Sequence, residues 1–225
     1  PIWVLLALPE KRMIRIIAKK ELSFSIFHLI FFPERKGIPM SQTTSSKWSI
    51  KTIALIGLMT AVICVISPFS IPIPISPVPI TLGIFAIYLS LFALGMTKGF
   101  LSCVIYLCLG LAGVPVFAGF TCGAGKLLGP TGGYLLGYLF LALIAGFFID
   151  RFGNKWYLSL LGMLLGIAVC YAFGTLWLAI QMHLTFIKAL WAGVIPYIPA
   201  DLVKMALALL VGIPLRKALR KAGLV

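Results

Sequence analysis

Six long apolar stretches follow one another from Ile50 onward, and they constrain the fold of this chain more than any other feature of its sequence. Proline-rich, glycine-rich or charged breaks separate them. Each stretch is near the roughly 20 residues that a helix needs to cross about 30 Å of hydrocarbon. Hydrophobic residues make up 61% of the chain and charged residues only 11%, so its surface requires lipid as solvent. Soluble nucleotide-fold enzymes, disordered regulators and disulfide-stapled secreted modules are thereby excluded. We expect an all-α, polytopic membrane protein with six transmembrane helices.

The breaks in hydrophobicity predict where these helices begin and end. The predicted spans are residues 50–68, 80–96, a third from the turn at 97–99 to 113, then 131–151, 156–182 and 188–215. Prolines recur between the first two spans, where helical hydrogen bonds cannot form, so a loop or extended segment is expected over 68–79. A long glycine-rich loop, 114–129, precedes the fourth span, and Thr131 is the expected N-cap of that helix.

Lysine and arginine segregate strongly between the two sides that this division creates. One side carries Lys126 and Lys188, and the other carries Lys47, Lys51, Lys98, Arg151, Lys155, Arg216, Lys217, Arg220 and Lys221. Because cytoplasmic loops are enriched in these residues, the second side is predicted to be cytoplasmic, with both termini. The connector 68–79 and the loop 114–129 then face outside. The net charge of +14 is explained by this pattern and by contacts with the lipid bilayer, so no nucleic-acid partner is expected.

The first 47 residues differ from the rest, because basic residues surround apolar runs that are too short to span a membrane. The chain begins with Pro1, whereas Met40 precedes a polar stretch of the kind that commonly leads into a first membrane helix. We expect residues 1–39 to be a non-native or over-extended segment, 40–49 a cytoplasmic tail, and 50–221 the transmembrane domain. An interfacial basic segment or a targeting segment are the alternatives.

Asp201 and Lys204 are isolated within the sixth apolar region, three residues apart on one predicted helical face. A charge that faces lipid at mid-membrane is unfavourable by on the order of 3 kcal/mol or more, so both side chains are expected to face the bundle interior or a wet cavity. Pro196 and Pro199 interrupt the helix just upstream and free carbonyl groups beside the pair. The pair is therefore the leading site hypothesis, and a self-neutralising ion pair that only fixes helix packing is the alternative.

The glycine-rich loop does not match a nucleotide-binding P-loop, because Phe120 and Leu127 stand where that motif needs glycine and serine or threonine. Its backbone can instead approach a neutral ligand closely and act as a lid, although a flexible connector is an equal alternative. The five cysteines form no C-x-x-C pair and the two histidines lie far apart, so no metal or cofactor is expected.

Small residues spaced four apart allow helices to approach closely at three places, Gly57 and Ala61, Gly133 and Gly137, and Gly162 and Gly166. Packing between helices of the protein itself is the ordinary explanation. Contact with a partner subunit is the more specific one, and we expect Gly57 and Ala61 to admit a helix of another protein.

Four segments together resemble the BioY family, the biotin-binding S components of energy-coupling factor (ECF) transporters. They are VPITL from Val78, GVPVFAG from Gly113, LGPTGGY from Leu128 and IPADLVK from Ile198. The resemblance covers roughly residues 50–219 in order. It implies a six-helix protein that captures biotin at the outer face and works with a coupling transmembrane subunit and two ATPase subunits, without being an enzyme itself.

The same resemblance implies the residues of the binding site. Asp201 and Lys204 are expected to contact biotin, and Thr121 lies where family members carry an amide side chain that bonds the ligand. Gly119, Gly123 and Tyr134 complete the expected set. Two departures concern ligand contacts: Gly83 stands where glutamine is expected in many members, and Leu135 where some carry arginine.

Two alternatives remain. The first is an S component for a different vitamin. The second is an intramembrane enzyme that uses Asp201 as acid or base, but this hypothesis lacks a second catalytic carboxylate, since Asp150 belongs to a predicted cytoplasmic loop.

Overall fold

The structure is a computed structural model that describes residues 49–72, 74, 76–153 and 155–224. The predicted segment 1–39, nearly all of the tail 40–49 and the cation Lys47 lie outside the described residues. The helices are α1 Ile50–Ile66, α2 Gly83–Leu94, α3 Met96–Leu111, α4 Ala124–Leu128, α5 Gly132–Phe152, α6 Trp156–Gln181, α7 Phe186–Gly193 and α8 Ile198–Lys221. A 3₁₀ turn, Ile195–Tyr197, joins α7 to α8, and two short strands, β1 Ser70–Ile71 and β2 Ile80–Thr81, pair antiparallel.

Three helical segments among the described residues are long and apolar enough to cross a membrane: α5, α6 and the region Phe186–Lys221. The helices α1, α2 and α3 are apolar but shorter, with 17, 12 and 16 residues. The second helix is shorter than the predicted 80–96 for two reasons. Ile80 and Thr81 pair with Ile71 and Ser70, and Gly95, at φ +81°, ends the helix.

The sixth predicted span is divided where its prolines predict an interruption. Pro196 lies in the 3₁₀ turn, and Pro199 lies in the first turn of α8, where a missing backbone N–H removes no helical hydrogen bond. The helix then continues past the predicted end at 215 to Lys221. Asp201 and Lys204 consequently lie in the first two turns of a new helix.

The loops gather at two ends of the bundle. At one end, the Asp150 carboxylate contacts both the Met96 N–H and the Arg216 guanidinium. At the other end, the Gly119 N–H donates to Pro68 O at 2.9 Å, and the rings of Phe69 and Phe120 meet edge to face. The connector and the glycine-rich loop are therefore packed against each other.

Close helix packing uses the small residues that the sequence singled out. The pair α5 and α6 forms the most extensive helix contact, and Gly137 faces Cys170 while Gly166 faces the backbone of Leu141. A Cβ at Gly137 would lie 2.7 Å from the Cys170 sulfur, so a larger residue there would separate the helices. The pairs 133/137 and 162/166 thus serve internal packing, the ordinary explanation.

The small pair on α1 is different. Ile56, Thr60 and Ile63 form the buried side of this helix, and Ser102 on α3 donates to Ile56 O at 3.3 Å. Gly57 and Ala61 lie on the exposed side, and a side chain added at Gly57 would meet no described atom within 4 Å.

Candidate ligand-binding site

A cavity lies at the end of the bundle where the connector and the glycine-rich loop meet. Its walls come from β2, α2, α4, α5, α6, α8 and both connecting segments. The lining residues are Val78, Pro79, Thr81, Ile84, Ala118, Lys126, Thr131, Tyr134, Leu135, Tyr138, Cys170, Tyr171, Tyr197, Asp201 and Lys204.

The intramembrane ion pair forms the polar wall of this cavity. Lys204 Nζ lies 2.7 Å from Asp201 Oδ1, and the two residues are only 7% and 3% exposed. Tyr171 on α6 donates its hydroxyl to the other carboxylate oxygen, Oδ2. As expected from their spacing, both charged side chains share one face of α8 and avoid the lipid.

The position of Asp201 follows from the local sequence. The 3₁₀ turn leads directly into α8, which begins at Ile198, three residues before Asp201, so the carboxylate lies in the first helical turn. A negative charge is stabilised there by the unpaired N–H groups and by the helix dipole. The helix interruption at the two prolines therefore places the Asp201 carboxylate, a hydrogen-bond acceptor, in the cavity wall.

The proline-rich connector lies across the cavity and is held by polar contacts to the sixth span. Tyr197 donates its hydroxyl to Val78 O, and Ser76 Oγ donates to Ala192 O at 2.6 Å. Ser76 Oγ also accepts the Val78 N–H at 3.1 Å. These contacts hold Val78 and Pro79 in the cavity wall.

The glycine-rich loop is held in the same way and is not a free connector. It contains the short helix α4, and Trp177 Nε1 donates to Gly129 O at 3.0 Å while Gln181 Nε2 donates to Leu128 O at 2.9 Å. Lys126 on α4 is half-buried and lines the cavity. The ordered loop brings a second cation to the site.

Tyrosines supply most of the remaining polar atoms of the wall, from Tyr134, Tyr138, Tyr171 and Tyr197. The hydroxyls of Tyr134 and Tyr138 approach Thr175 and Thr81 at 3.5 and 3.4 Å. Ile84, Leu135 and Cys170 provide apolar surface. One carboxylate and two ammonium groups line the site, which gives it a formal charge of +1 and suits a singly charged anion with hydrogen-bonding groups.

Three of the predicted site residues line the cavity: Asp201, Lys204 and Tyr134. Gly119, Thr121 and Gly123 lie in the adjoining loop. Thr121 Oγ1 donates to Ala118 O at 2.9 Å, Gly123 N–H donates to Gly110 O at 2.7 Å, and Gly119 and Gly123 have φ of +72° and +87°, which favour glycine. These residues shape the loop that presents Ala118 and Lys126.

Sequence reasoning missed Lys126, Tyr138, Tyr171 and Tyr197 as site residues. Two signals pointed to them: Lys126 is one of only two cations on its predicted side, and Tyr138 lies one turn after Tyr134. The described residues contain no cluster of three or more histidine, cysteine, aspartate or glutamate side chains for a metal.

Comparison with known proteins adds the family. The BioY family matches residues 40–221 of this sequence. This chain belongs to the BioY family. The "Biotin transporter BioY" of Thermotoga maritima is 38% identical over 162 residues, which cover 72% of this chain and 93% of that protein. The "Probable biotin transporter BioY" of Pyrococcus horikoshii is 40% identical over 161 residues, again 72% and 93%.

A solved structure has the same fold. The S component for biotin from an ECF-type ABC transporter superposes with a TM-score of 0.71 at 32% identity and covers 77% of this chain and 95% of its own. Together with the apolar helices, this likeness and the BioY relatives make the chain a multi-pass plasma-membrane protein.

Proposed function

We propose that this chain is the substrate-binding (S) component for biotin uptake, which captures biotin at the outer face and delivers it inward with an ATP-driven ECF module. The observation that carries the proposal is the cavity in which a buried carboxylate, two ammonium groups and four tyrosines surround an apolar space. The names of the BioY relatives and of the structural neighbour support biotin as the ligand.

The chemistry of biotin matches the polar wall of the cavity. Its ureido ring offers two N–H donors and a carbonyl acceptor, and its thiolane ring is apolar. Asp201 accepts from a ureido N–H, Lys204 donates to the ligand, and Ile84 and Leu135 contact the apolar ring. Before the ligand arrives, Lys204 and Asp201 are paired with each other at 2.7 Å.

Lys126 binds the carboxylate of the valerate chain in this proposal. Leu135 stands where some family members carry arginine, so the cation at that position is missing. Lys126 lines the same cavity and brings its formal charge to +1, which complements the single negative charge of biotin. Lys126 on α4 thereby supplies the cation that is missing at position 135 on α5.

The remaining predicted contacts belong to the loop and to α5. Tyr134 lies in the cavity wall and packs against the ligand. Gly119 and Gly123 set the backbone of the loop that carries Lys126. Thr121 contacts biotin only when its hydroxyl turns from Ala118 O, since it donates there at 2.9 Å.

Six membrane crossings within residues 50–221, with both termini in the cytoplasm, form part of the proposal. The charge distribution supports the orientation, and the cavity lies at the cation-poor end. A membrane-impermeant thiol reagent added to intact cells should label exposed Cys122 in a Cys108→Ser background but not a cysteine introduced by Lys155→Cys. Labelling of the introduced cysteine and not of Cys122 would show that the orientation is the opposite of the proposed one.

Gly57 and Ala61 form the contact for a helix of the coupling subunit in this proposal. Their exposed position on α1, opposite the side that packs against α3, supports this assignment. Gly57→Leu/Ala61→Leu should weaken co-purification of the module and leave biotin binding intact. The matched control is Leu58→Ala/Val65→Ala, which changes other exposed positions on the same helix. An unchanged yield of complex in the first variant would contradict the assignment.

A ligand screen on the purified chain tests the main proposal. Biotin at 100 times its Kd should stabilise the protein by about 2.7 kcal/mol and raise its melting temperature, whereas riboflavin and thiamine should not. Lys126→Met should lower biotin affinity by about five-fold but leave the affinity for biotinamide, which lacks the carboxylate, unchanged. Lys188→Met removes the other outer cation, which is exposed and outside the cavity, and is the control. A shift with another vitamin and none with biotin would refute the proposal.

A further inference from the structure

A second, open pocket lies at the opposite end of the bundle, between the end of α5, the start of α6 and the end of α8. Its lining includes Arg151, Lys155 and Arg220, and none of these three forms an ion pair with a described residue. Asp150 also lines it, but its carboxylate is already bound by Arg216 and by the Met96 N–H. Lys155 is also the N-cap of α6, whose first turn has no acidic residue. Three cations and the positive end of a 26-residue helix therefore converge on one pocket.

A buried guanidinium lies behind this pocket. Arg216 is only 7% exposed; its Nη2 contacts Asp150 Oδ1 at 2.7 Å, but its Nε and Nη1 find no acceptor among the described residues. It lies against Gly153 in the pocket wall, where a Cβ would be 3.5 Å from its Cζ and Nε. Arg216 is not part of the pocket lining, but it places a positive charge and unpaired N–H donors directly behind the wall at Gly153.

The surroundings of the pocket place it at the level of lipid headgroups. Trp156 and Tyr157, next to Lys155, are 61% and 51% exposed, and exposed aromatic residues of this kind mark the membrane interface. Beyond them α6 presents the exposed leucines Leu161, Leu164 and Leu165. An anion bound in the pocket would thus have an apolar helix face beside it on which acyl chains can lie.

We propose that this pocket binds the phosphate of an anionic phospholipid, with Arg151, Lys155 and Arg220 around the phosphate and Arg216 as a buried donor behind it. Phosphate oxygens suit this donor set because arginine forms paired hydrogen bonds with them. Basic pockets between transmembrane helices bind anionic headgroups in this manner. This site is independent of the proposed biotin cavity. Only its assignment to the inner leaflet rests on the proposed orientation.

Titration of the purified full chain with phosphatidylglycerol, followed by native mass spectrometry, tests the site. Phosphatidylglycerol should bind in preference to phosphatidylcholine. Each cation removed by Arg151→Gln or Arg220→Gln should lower its affinity about five-fold, and the double variant on the order of 25-fold. The matched control is Lys98→Gln/Lys217→Gln, which removes the same charge from the same end outside the pocket and should change the affinity less than about two-fold.

Three results would overturn the proposal: equal losses in both double variants, no preference over phosphatidylcholine, or displacement of the lipid by glycerol 3-phosphate at comparable concentration, which would indicate a soluble phosphate ligand. Biotin affinity is measured for every variant as well. A variant that loses phosphatidylglycerol binding but keeps biotin binding has lost only the lipid site, so the two proposals are tested separately. If the double variant does not fold, the two single variants and their five-fold effects decide the question.

Discussion

The two ion pairs of the described residues have the same N···O distance, 2.7 Å, but they connect different parts of the molecule. Asp201 and Lys204 lie three residues apart on one helix, and both are buried. Asp150 and Arg216 lie 66 residues apart, on α5 and α8, and the Asp150 side chain is 40% exposed. Asp150 Oδ2 also accepts the Met96 N–H at 2.6 Å, so this carboxylate joins α3, α5 and α8.

We propose that this difference separates a pair that holds the fold from a pair that binds a ligand. A bond within one helix joins no separate elements, and burying two charges seldom stabilises a protein more than apolar packing does. The position of Asp201 and Lys204 is therefore explained by the cavity that they line. The long-range pair, by contrast, closes the end of the bundle away from that cavity.

The largest expected effect is on ligand affinity at the local pair. Asp201→Asn and Lys204→Met should each lower biotin affinity by 10-fold or more, because each removes a charged hydrogen bond to the ligand. Membrane insertion should persist in both variants. Equilibrium biotin binding by the purified variants measures the effect.

The double variant Asp201→Asn/Lys204→Met decides between the two explanations of this pair. If the pair is only structural, each single variant leaves one charge unpaired and destabilises the protein without ligand, and the double variant regains both stability and binding. We expect stability to return but not affinity. A double variant that binds biotin like the parent protein would remove Asp201 and Lys204 from the site.

The long-range pair should show the opposite behaviour. Asp150→Asn leaves the buried Arg216 without its partner, and we expect a loss of about 1.5 kcal/mol of stability, below the value for a fully buried pair because the Asp150 side chain is 40% exposed. The melting temperature without ligand should fall by several degrees while biotin affinity changes less than about two-fold. Asp150→Asn/Arg216→Met should regain part of the stability. A loss of biotin affinity as large as that of Asp201→Asn would abolish the distinction between the two pairs.

Sequence patterns were sufficient for the helical class, the grouping of loops at two ends and the shared face of Asp201 and Lys204, because each depends on local spacing or on hydrophobicity. The proline-imposed break before α8 is of the same kind. The short length of α2 could not be predicted, since its start depends on the pairing of Ile80 and Thr81 with residues nine and eleven positions earlier.

The rest of the cavity wall depends on tertiary contacts. Tyr171 and Tyr138 lie in apolar runs, where a tyrosine resembles any other packing residue until its neighbours are known. Lys126 reaches the site because α4 forms within the loop and because Trp177 and Gln181 hold the end of that loop. The contacts of Tyr171, Trp177 and Gln181 have no short-range signature in the sequence.

Tyr171→Phe should have the smallest effect of the variants at the local pair, because it leaves the charges of Asp201 and Lys204 in place. Its hydroxyl donates to Asp201 Oδ2 and positions the carboxylate for the ligand. The variant keeps the carboxylate and loses only this positioning, so we expect biotin affinity to fall about three-fold. Tyr138→Phe is the matched control: it also removes a hydroxyl from the cavity wall, but one that contacts Thr81 and not Asp201, so its effect should be smaller. Isothermal titration of both variants with biotin measures the difference. A higher affinity in Tyr171→Phe would show that the hydroxyl competes with the ureido N–H for Oδ2, and Asp201 would then bind the ligand at the expense of its tyrosine partner.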